Sequence, residues 1–273
     1  CGVDSLRQAE YIHKITGDVD LLLTQFSYAA HIGDPDDAEL RKIASKEKLM
    51  RIKIQSSVFN SKYVIPFASF IRFSHEDNIY MNDEVNKIGT VEEFITHETN
   101  SIPVILYPGD KWVLGENKEN IKAIKLYEKD LTQHFEPFKN SPRIEFQELQ
   151  NYSYVYIKKI KDMNNWGLIK FFHSISFLKT AKIYHKDLDL SITFDLVHGI
   201  NKSEFSKNKS DIITDSDSLA FAFKFDYGAD TLLANARFHK SGGRTMIFFR
   251  RFMIGTLNNN GRTFPFGIIG FLL

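Results

Sequence analysis

The sequence predicts an α/β fold over the first 115 residues, followed by a helical segment and a module of mixed α and β structure. Two apolar runs of strand length, 19–26 and Tyr63–Phe67, enclose a long stretch with helical spacing. Strand, helix and strand in this order form a βαβ unit with a parallel sheet. From residue 116 the composition shifts to Lys, Glu, Asn and aromatic residues at helical spacing, and after residue 183 short strands alternate with helices.

The first predicted helix begins at a capping pair, Asp4 and Ser5, and runs to about Ile15. Gly17 ends it, because glycine adopts the backbone conformation that commonly follows a helix. The run 19–26 is continuously apolar, which is typical of a parallel strand buried on both faces.

The second predicted helix begins with Asp34 as its N-cap and Pro35 in its first turn, and it continues to Val58. Acidic residues near its start favour the positive end of the helix dipole. Its apolar face is expected to contain Leu40, Ile43, Ala44, Leu49, Ile52 and Val58.

Tyr63–Phe67 is the next predicted strand, a short helix begins near Thr90, and a third strand lies within 101–114. Further along, residues 189–199 alternate with period two, as in a strand, and 210–240 read as a strand, a turn and an amphipathic helix that begins near residue 216 or 217. The predicted domain limits are therefore 1–115, 116–183 and 184–273.

The composition is that of a folded protein with a substantial core, with 43% apolar and 25% charged residues. The net charge of +1 gives no field that would attract nucleic acid, and no run reaches the roughly 18 apolar residues of a membrane span. A single cysteine, Cys1, excludes an internal disulfide.

We expect a small-molecule substrate and, by default, a cytoplasmic location. A start at Cys1 without methionine favours a piece of a longer protein.

Four stretches, in chain order, carry a resemblance to a known family: CGVDSLRQA, DLLLTQFSYAAHIGDPDDAE, YVIPFASFIRFSHEDNIYMND and PVILYPGDKWVL. Together they resemble the second half of a metallo-β-lactamase-fold protein. The likeness is greatest to the branch that contains CMP-N-acetylneuraminate hydroxylase, and the N-acylphosphatidylethanolamine phospholipase D branch is more distant. The resemblance covers residues 1–114.

The resemblance implies half of an αββα sandwich with one or two divalent metal ions (zinc, iron or manganese) at the sheet edge of the full-length protein. The family's His-x-His-x-Asp-His ligand loop lies in the other half, and this chain lacks it. No two of the nine histidines have metal-ligand spacing: His13, His31, His75, His97, His134, His173, His185, His198 and His239. We therefore expect the C-terminal part of a longer enzyme rather than an enzyme that has lost its metal site.

His75 is the predicted metal ligand, since the resembling branch has a histidine a few residues after the small-residue strand end that corresponds to Ala68 and Ser69. Glu76 and Asp83 are candidates to orient its imidazole through the other ring nitrogen. The alternatives are that His75 is an ordinary loop histidine hydrogen-bonded to its neighbours, and that Asp83 only caps a turn.

Tyr28 and His31 follow the first strand at its carboxyl end, where open α/β sheets contact substrates. They are candidates to line a pocket, and packing beneath the following acidic helix start is the alternative. Asp110, after the third strand, is a further candidate, although Pro108 and Gly109 beside it are typical of a structural turn.

By the same resemblance, the predicted activity is metal-dependent hydrolysis of a polar, phosphorylated or sugar-linked substrate. Hydrolysis is favoured over oxygenation because the chain lacks the Cys and His pairs of a Rieske centre. The alternative is a non-catalytic module that binds a ligand or a partner and has a degenerate metal site. The last region weakly resembles sterol-carrier-protein-2 modules, and its many phenylalanines suit either an apolar pocket or an ordinary aromatic core.

Overall fold

The structure, a computed structural model, describes residues 5–139 and 141–265. The chain divides into two units. The first unit comprises Cys1–Ser74 with Ile79–Pro137, and the second unit comprises His75–Asn78 with Phe138–Leu273. Nothing long and apolar enough to cross a membrane occurs among the helices of these described ranges.

A three-stranded parallel sheet, in the order β1-β2-β3, forms the centre of the first unit. Its strands are β1 (Leu21–Gln25), β2 (Tyr63–Phe67) and β3 (Ile102–Pro103). Its helices are α1 (Leu6–Thr16), α2 (Ala38–Val58), α3 (Ile88–Glu98) and α4 (Ile121–Thr132). The predicted α/β class is confirmed, whereas the αββα sandwich stays a prediction.

The predicted start of α1 is confirmed in part, because the Ser5 side chain accepts a hydrogen bond from Gln8 N, whereas Asp4 lies outside the described residues. For α2 the predicted cap is wrong: Asp37, not Asp34, is the N-cap. The carboxylate of Asp37 instead accepts the Asp34 N–H at 2.8 Å and holds the preceding turn in place.

The predicted apolar face of α2 is wrong in part. Leu40 and Ile43 are exposed, whereas Ile52 is fully buried and Ala44, Leu49 and Val58 are partly buried. Polar side chains take the other buried positions, namely Arg41, Ser45, Gln55 and Ser56. They find hydrogen-bond partners inside the unit, which allows polar groups to be buried at low cost. The expectation that β1 is buried on both faces is also wrong, since Leu23 is half exposed.

Arg41 is expected to contribute strongly to the stability of the first unit. Its guanidinium donates to the carbonyls of Asp34 at 2.6 Å and Pro35 at 2.9 Å, and it lies 4.9 Å from the centre of the Tyr80 ring. Arg41→Ala removes a buried side chain together with these hydrogen bonds and should cost about 2–4 kcal/mol of unfolding free energy. Urea unfolding, followed by Trp112 fluorescence in a Trp166→Phe background, measures this cost.

The control for Arg41 is its neighbour Lys42, whose ammonium forms a surface ion pair with Glu39 at 2.7 Å. Lys42→Ala should change the unfolding free energy by less than about 0.5 kcal/mol. Equal losses for the two variants would show that the buried guanidinium contributes nothing beyond an ordinary surface charge.

A five-stranded mixed sheet, in the order β6-β5-β4-β7-β8, forms the centre of the second unit. The strands are β4 (Ala181–His185), β5 (Leu190–Asp195), β6 (Gly199–Lys202), β7 (Ile212–Thr214) and β8 (Phe238–Lys240). The helices are α5 (Phe146–Met163), α6 (Trp166–Ser174), α7 (Ser216–Lys224), α8 (Gly228–Asn235), α9 (Thr245–Arg250) and α10 (Met253–Asn259). Of the strand pairs in this sheet, β4 and β7 are parallel and the others are antiparallel.

Aromatic side chains form much of the core of the second unit. Phe194 lies 4.9 Å from Phe223 and 5.5 Å from Phe252, measured between ring centres. Phe221 and Phe225 are exposed. The phenylalanines of this region thus divide between a packed core and the surface.

The two units divide the chain at places other than the predicted limits of 115 and 183. Helix α4 belongs to the first unit, whereas α5 and α6 belong to the second. The buried residues of α5 and α6, including Leu149, Ile160 and Ile169, join the core around the five-stranded sheet. The helical stretch therefore has no core of its own.

Candidate functional site

His75, Asp77 and Asp215 lie together in the second unit, with ligand atoms within 4.8 Å of one another. The fold brings Asp215 and a neighbour of the cluster, Lys186, to one edge of the five-stranded sheet. Strand β4 ends one residue before Lys186, and its parallel neighbour β7 ends one residue before Asp215. The carboxyl ends of parallel strands meet at the same sheet edge, which is where α/β folds place ligand sites.

The imidazole of His75 is buried, and its hydrogen bonds define its tautomer. Asp77 N–H donates to Nδ1 at 3.2 Å, and Nε2 lies 3.3 Å from the Ser141 hydroxyl oxygen. Since Nδ1 accepts, the proton of the neutral ring is on Nε2 and is donated to Ser141. Burial, and then the nearby Arg237 charge, hold the pKa of His75 below its usual value.

A buried carboxylate oxygen faces the His75 ring. Asp77 Oδ2 lies 3.3 Å from Nδ1 and has no hydrogen-bond partner in the described part of the chain, while its Oδ1 accepts from Lys186. Two acceptor atoms therefore lie close together in a buried site, an arrangement that a proton or a metal ion between them would stabilise. Two ligand atoms about 2.1 Å from one tetrahedral ion lie about 3.4 Å apart, so the observed separation fits a metal ion.

Asp215 completes the cluster and shares Lys186 with Asp77. Its carboxylate lies 3.4 Å from an Arg237 nitrogen and 3.5 Å from Lys186 Nζ. Burial, reinforced by the charge of Asp77, raises the pKa of Asp215 to about 6. Burial also acts to raise the pKa of Asp77, but the neighbouring His239 and the hydrogen-bonded Lys186 hold that pKa well below its usual range.

The two residues predicted to orient His75 are not the ones that contact it. Glu76 is exposed, and its backbone N–H donates to Phe138 O at 3.0 Å. Asp83 is exposed in the first unit, with its N–H 3.3 Å from Tyr80 O, as in a turn. Asp77, which the sequence motifs did not single out, is the carboxylate beside the imidazole.

The remaining predicted residues lie in the first unit. Tyr28 is buried and donates to Met81 O at 2.6 Å, and burial raises its pKa to about 12. His31 lies 3.5 Å from the Asp34 carboxylate. Asp110 pairs with Lys118 at 2.8 Å and accepts from Tyr107 N at 3.1 Å, which is the geometry of a structural turn.

A cavity of about 310 Å³ lies in the first unit, at the carboxyl ends of its strands. Its lining includes Phe26 after β1, Ser69 after β2 and Pro108 after β3, together with Arg72 and Asp130. Tyr28 and His31 are not part of that lining. The sequence therefore predicted the place of a pocket, but not the side chains that form it.

Besides Asp77, sequence reasoning missed Asp215 and the two cations beside the cluster, Lys186 and Arg237. Asp215 ends an apolar strand and precedes a helix, which is a signal for a helix cap as much as for a site. Lys186 and Arg237 stand next to strands whose pairing no local pattern reveals. Their proximity to His75 depends on contacts more than 100 residues apart.

Comparisons with models of known protein families, with curated proteins and with solved structures each find no match to this chain. The resemblance to the metallo-β-lactamase fold therefore stays a prediction from the motifs.

Proposed function

We propose that this chain is the C-terminal portion of a metal-dependent hydrolase, with His75, Asp77 and Asp215 holding a zinc, iron or manganese ion. The observation that carries the proposal is the 3.3 Å separation of two acceptor atoms, His75 Nδ1 and Asp77 Oδ2, in a buried site where Oδ2 has no hydrogen-bond partner among the described residues. Three protein ligands leave coordination positions for water and substrate, which is the pattern of catalytic rather than structural metal sites.

A metal ion held there would polarise the bond under attack and lower the pKa of a bound water. The chain's own residues would orient the ligands of the ion and neutralise the carboxylate charges. Ser141 fixes the imidazole by accepting its Nε2 proton, while Arg237 donates to the same hydroxyl. Asp77 Oδ1 is fixed by Lys186, so that Oδ2 is left to face the ion.

The charges around the cluster support the proposed substrate class. Lys186 and Arg237 adjoin the carboxylates, and His239 Nε2 lies 3.9 Å from Asp77 Oδ1. Cationic groups beside a metal stabilise the negative charge that develops in acyl and phosphoryl transfer. A polar, phosphorylated or sugar-linked substrate therefore suits the site. The αββα sandwich and a cytoplasmic location stay part of the proposal.

A second candidate, a non-catalytic ligand- or partner-binding module, is favoured by a different observation. Both ring nitrogens of His75 already have hydrogen-bond partners, and Lys186 and Arg237 already neutralise the carboxylates. In that module the two cations take the place of the metal, and the cluster only stabilises the fold.

Hydrolysis by the full-length gene product separates the two candidates. The probes are bis(p-nitrophenyl) phosphate, p-nitrophenyl phosphate and p-nitrophenyl acetate, after EDTA treatment and again after addition of Zn²⁺, Fe²⁺ or Mn²⁺. We expect metal-dependent turnover that falls at least about 100-fold in His75→Ala and Asp77→Asn, because even outer partners of metal ligands cost about 10–100-fold.

His134→Ala is the matched control, since His134 is an exposed histidine of the first unit that pairs with Glu136. It should leave turnover unchanged. Turnover of none of the probes, or turnover that neither the metal nor the two cluster variants affect, would favour the non-catalytic module.

A further inference from the structure

A second group of metal-ligating side chains lies elsewhere in the second unit. His173, Asp195 and His198 place ligand atoms within 4.8 Å of one another. His198 Nδ1 is 3.1 Å from Asp195 Oδ1 and 3.2 Å from Oδ2, and His173 Nε2 is 3.5 Å from Oδ1. Two imidazoles and one carboxylate are a donor set that suits first-row transition metals.

The three side chains come from different elements that converge. His173 is on the last turn of α6, Asp195 is the last residue of β5, and His198 lies in the turn before β6. The two imidazole rings meet edge to face, with centres 5.3 Å apart. Asp195 is buried, His173 is partly exposed and His198 is 62% exposed, so the group opens to solvent on the His198 side.

A turn cap explains only part of this arrangement. Asp195 Oδ1 accepts the N–H groups of Val197 at 2.9 Å and His198 at 2.8 Å, as a capping aspartate does. Capping of the turn by Asp195 needs neither the His173 nor the His198 imidazole. In the described ranges Asp195 has no Lys or Arg within ion-pair distance, in contrast to Asp77 and Asp215. The charge of the buried Arg251 acts on Asp195 from beyond that distance, and a metal ion held by the three side chains would bring a positive charge into direct contact with the carboxylate.

A cleft of about 620 Å³ adjoins the group and shares His198 with it. Lys158, Lys161 and Lys170 line it, and across the described part of the chain no carboxylate forms an ion pair with any of the three. Lys161 lies 5.9 Å from the centre of the Trp166 ring. The cleft gives water or a small anion access to the exposed side of the group.

We infer that His173, Asp195 and His198 bind one divalent transition-metal ion, with its remaining coordination positions facing the lysine-lined cleft. The site is separate from the His75 cluster, since the two share no residue. Imidazole-rich donor sets bind Co²⁺ and Zn²⁺ and leave Mg²⁺ and Ca²⁺ to oxygen-only sites.

Co²⁺ is the probe for this site, because its visible absorption reports its ligands. The protein is the untagged 273-residue chain with Cys1→Ser, which removes the single thiol, and His75→Ala, which removes the other cluster. We expect one Co²⁺ per chain, with a visible band that Zn²⁺ displaces and Mg²⁺ does not. His173→Ala and His198→Ala should each weaken Co²⁺ binding at least about 100-fold.

Asp195→Asn separates metal binding from turn capping. Asparagine keeps an oxygen that accepts the Val197 and His198 N–H groups, but it loses the charge. We expect this variant to keep the urea midpoint of the parent and to lose Co²⁺ binding. His134→Ala should bind Co²⁺ as the parent does. The inference is overturned if the parent binds no Co²⁺, or if the histidine variants and Asp195→Asn bind it like the parent.

Discussion

Replacing Lys186 by methionine is expected to lower the unfolding free energy of the metal-free second unit by about 3 kcal/mol at pH 7, because the change leaves a buried carboxylate without its cation. Lys186 Nζ donates to Asp77 Oδ1 and lies 3.5 Å from Asp215 Oδ1. Both carboxylate side chains are only 8% exposed, so water replaces the lost ammonium poorly. Methionine keeps the apolar stem of the lysine side chain, so the loss of unfolding free energy measures the contribution of the ammonium charge. Urea unfolding, followed by Trp166 fluorescence in a Trp112→Phe background, measures the second unit.

Lys159 provides the control for Lys186. It pairs with Asp226 at the surface, where the two side chains are 43% and 68% exposed, so Lys159→Met should cost less than about 1 kcal/mol. Adding Asp77→Asn to Lys186→Met should restore at least half of the loss, because no uncompensated charge then remains. Similar costs for Lys186→Met and Lys159→Met would contradict the account of a cluster held together by its cations.

The second unit is also expected to lose stability in mild acid because of His185. This residue is at the end of β4 with its side chain fully buried, and no hydrogen bond of good geometry reaches either ring nitrogen within the described residues. Burial lowers its pKa to about 4, and the Asp187 carboxylate offsets part of this effect. The unfolded chain, with an ordinary histidine pKa near about 6.5, therefore binds a proton between about pH 6.5 and 4 that the folded chain does not.

The sign of the effect follows from this difference. Stability falls as the pH falls through the interval from about 6.5 to about 4, and above that interval His185 contributes no pH dependence. The expected loss is about 2 kcal/mol between pH 7.5 and pH 5, and about 3 kcal/mol by pH 4. Asp215, whose pKa is raised, titrates nearby with the opposite sign, so the difference between variants is the quantity to compare.

Urea unfolding of the parent and of His185→Leu at a series of pH values isolates this contribution. The difference between their unfolding free energies should be constant above about pH 7 and should shift by about 2 kcal/mol in favour of the variant by pH 5. The exposed His134→Ala should run parallel to the parent at every pH. Parallel curves for His185→Leu and the parent would mean that the imidazole is not held neutral by burial.

The features of the fold that local chemistry determines could be predicted from the sequence. Ser5 and Gly17 delimit α1, and Tyr63–Phe67 is a strand with the predicted bounds. The prediction failed for features that depend on which side chains are buried together and which strands pair. The inward face of α2 contains polar side chains because Gln55 and Ser45 have hydrogen-bond partners within the first unit, which hydrophobic periodicity does not reveal. Strands β6 and β8 are too short to show a pattern of their own.

The candidate site shows the same division. His75 could be predicted because it belongs to a contiguous motif, but the motif suggested Glu76 as its partner, and the backbone instead turns Asp77 toward the ring. Asp215 and Arg237 reach the cluster only through the pairing of β7 with β4 and β8. No spacing in the sequence reports such pairings, so a metal cluster built across a sheet stays hidden until the topology is known.

Crystals of the chain grown with Zn²⁺ and measured at the zinc absorption edge test the central claim most directly. The account predicts an anomalous peak about 2.1 Å from both His75 Nδ1 and Asp77 Oδ2, with Asp215 as a third ligand. Well-ordered His75 and Asp77 side chains with no peak between them, and with a hydrogen bond from Asp77 N–H to Nδ1 alone, would contradict it.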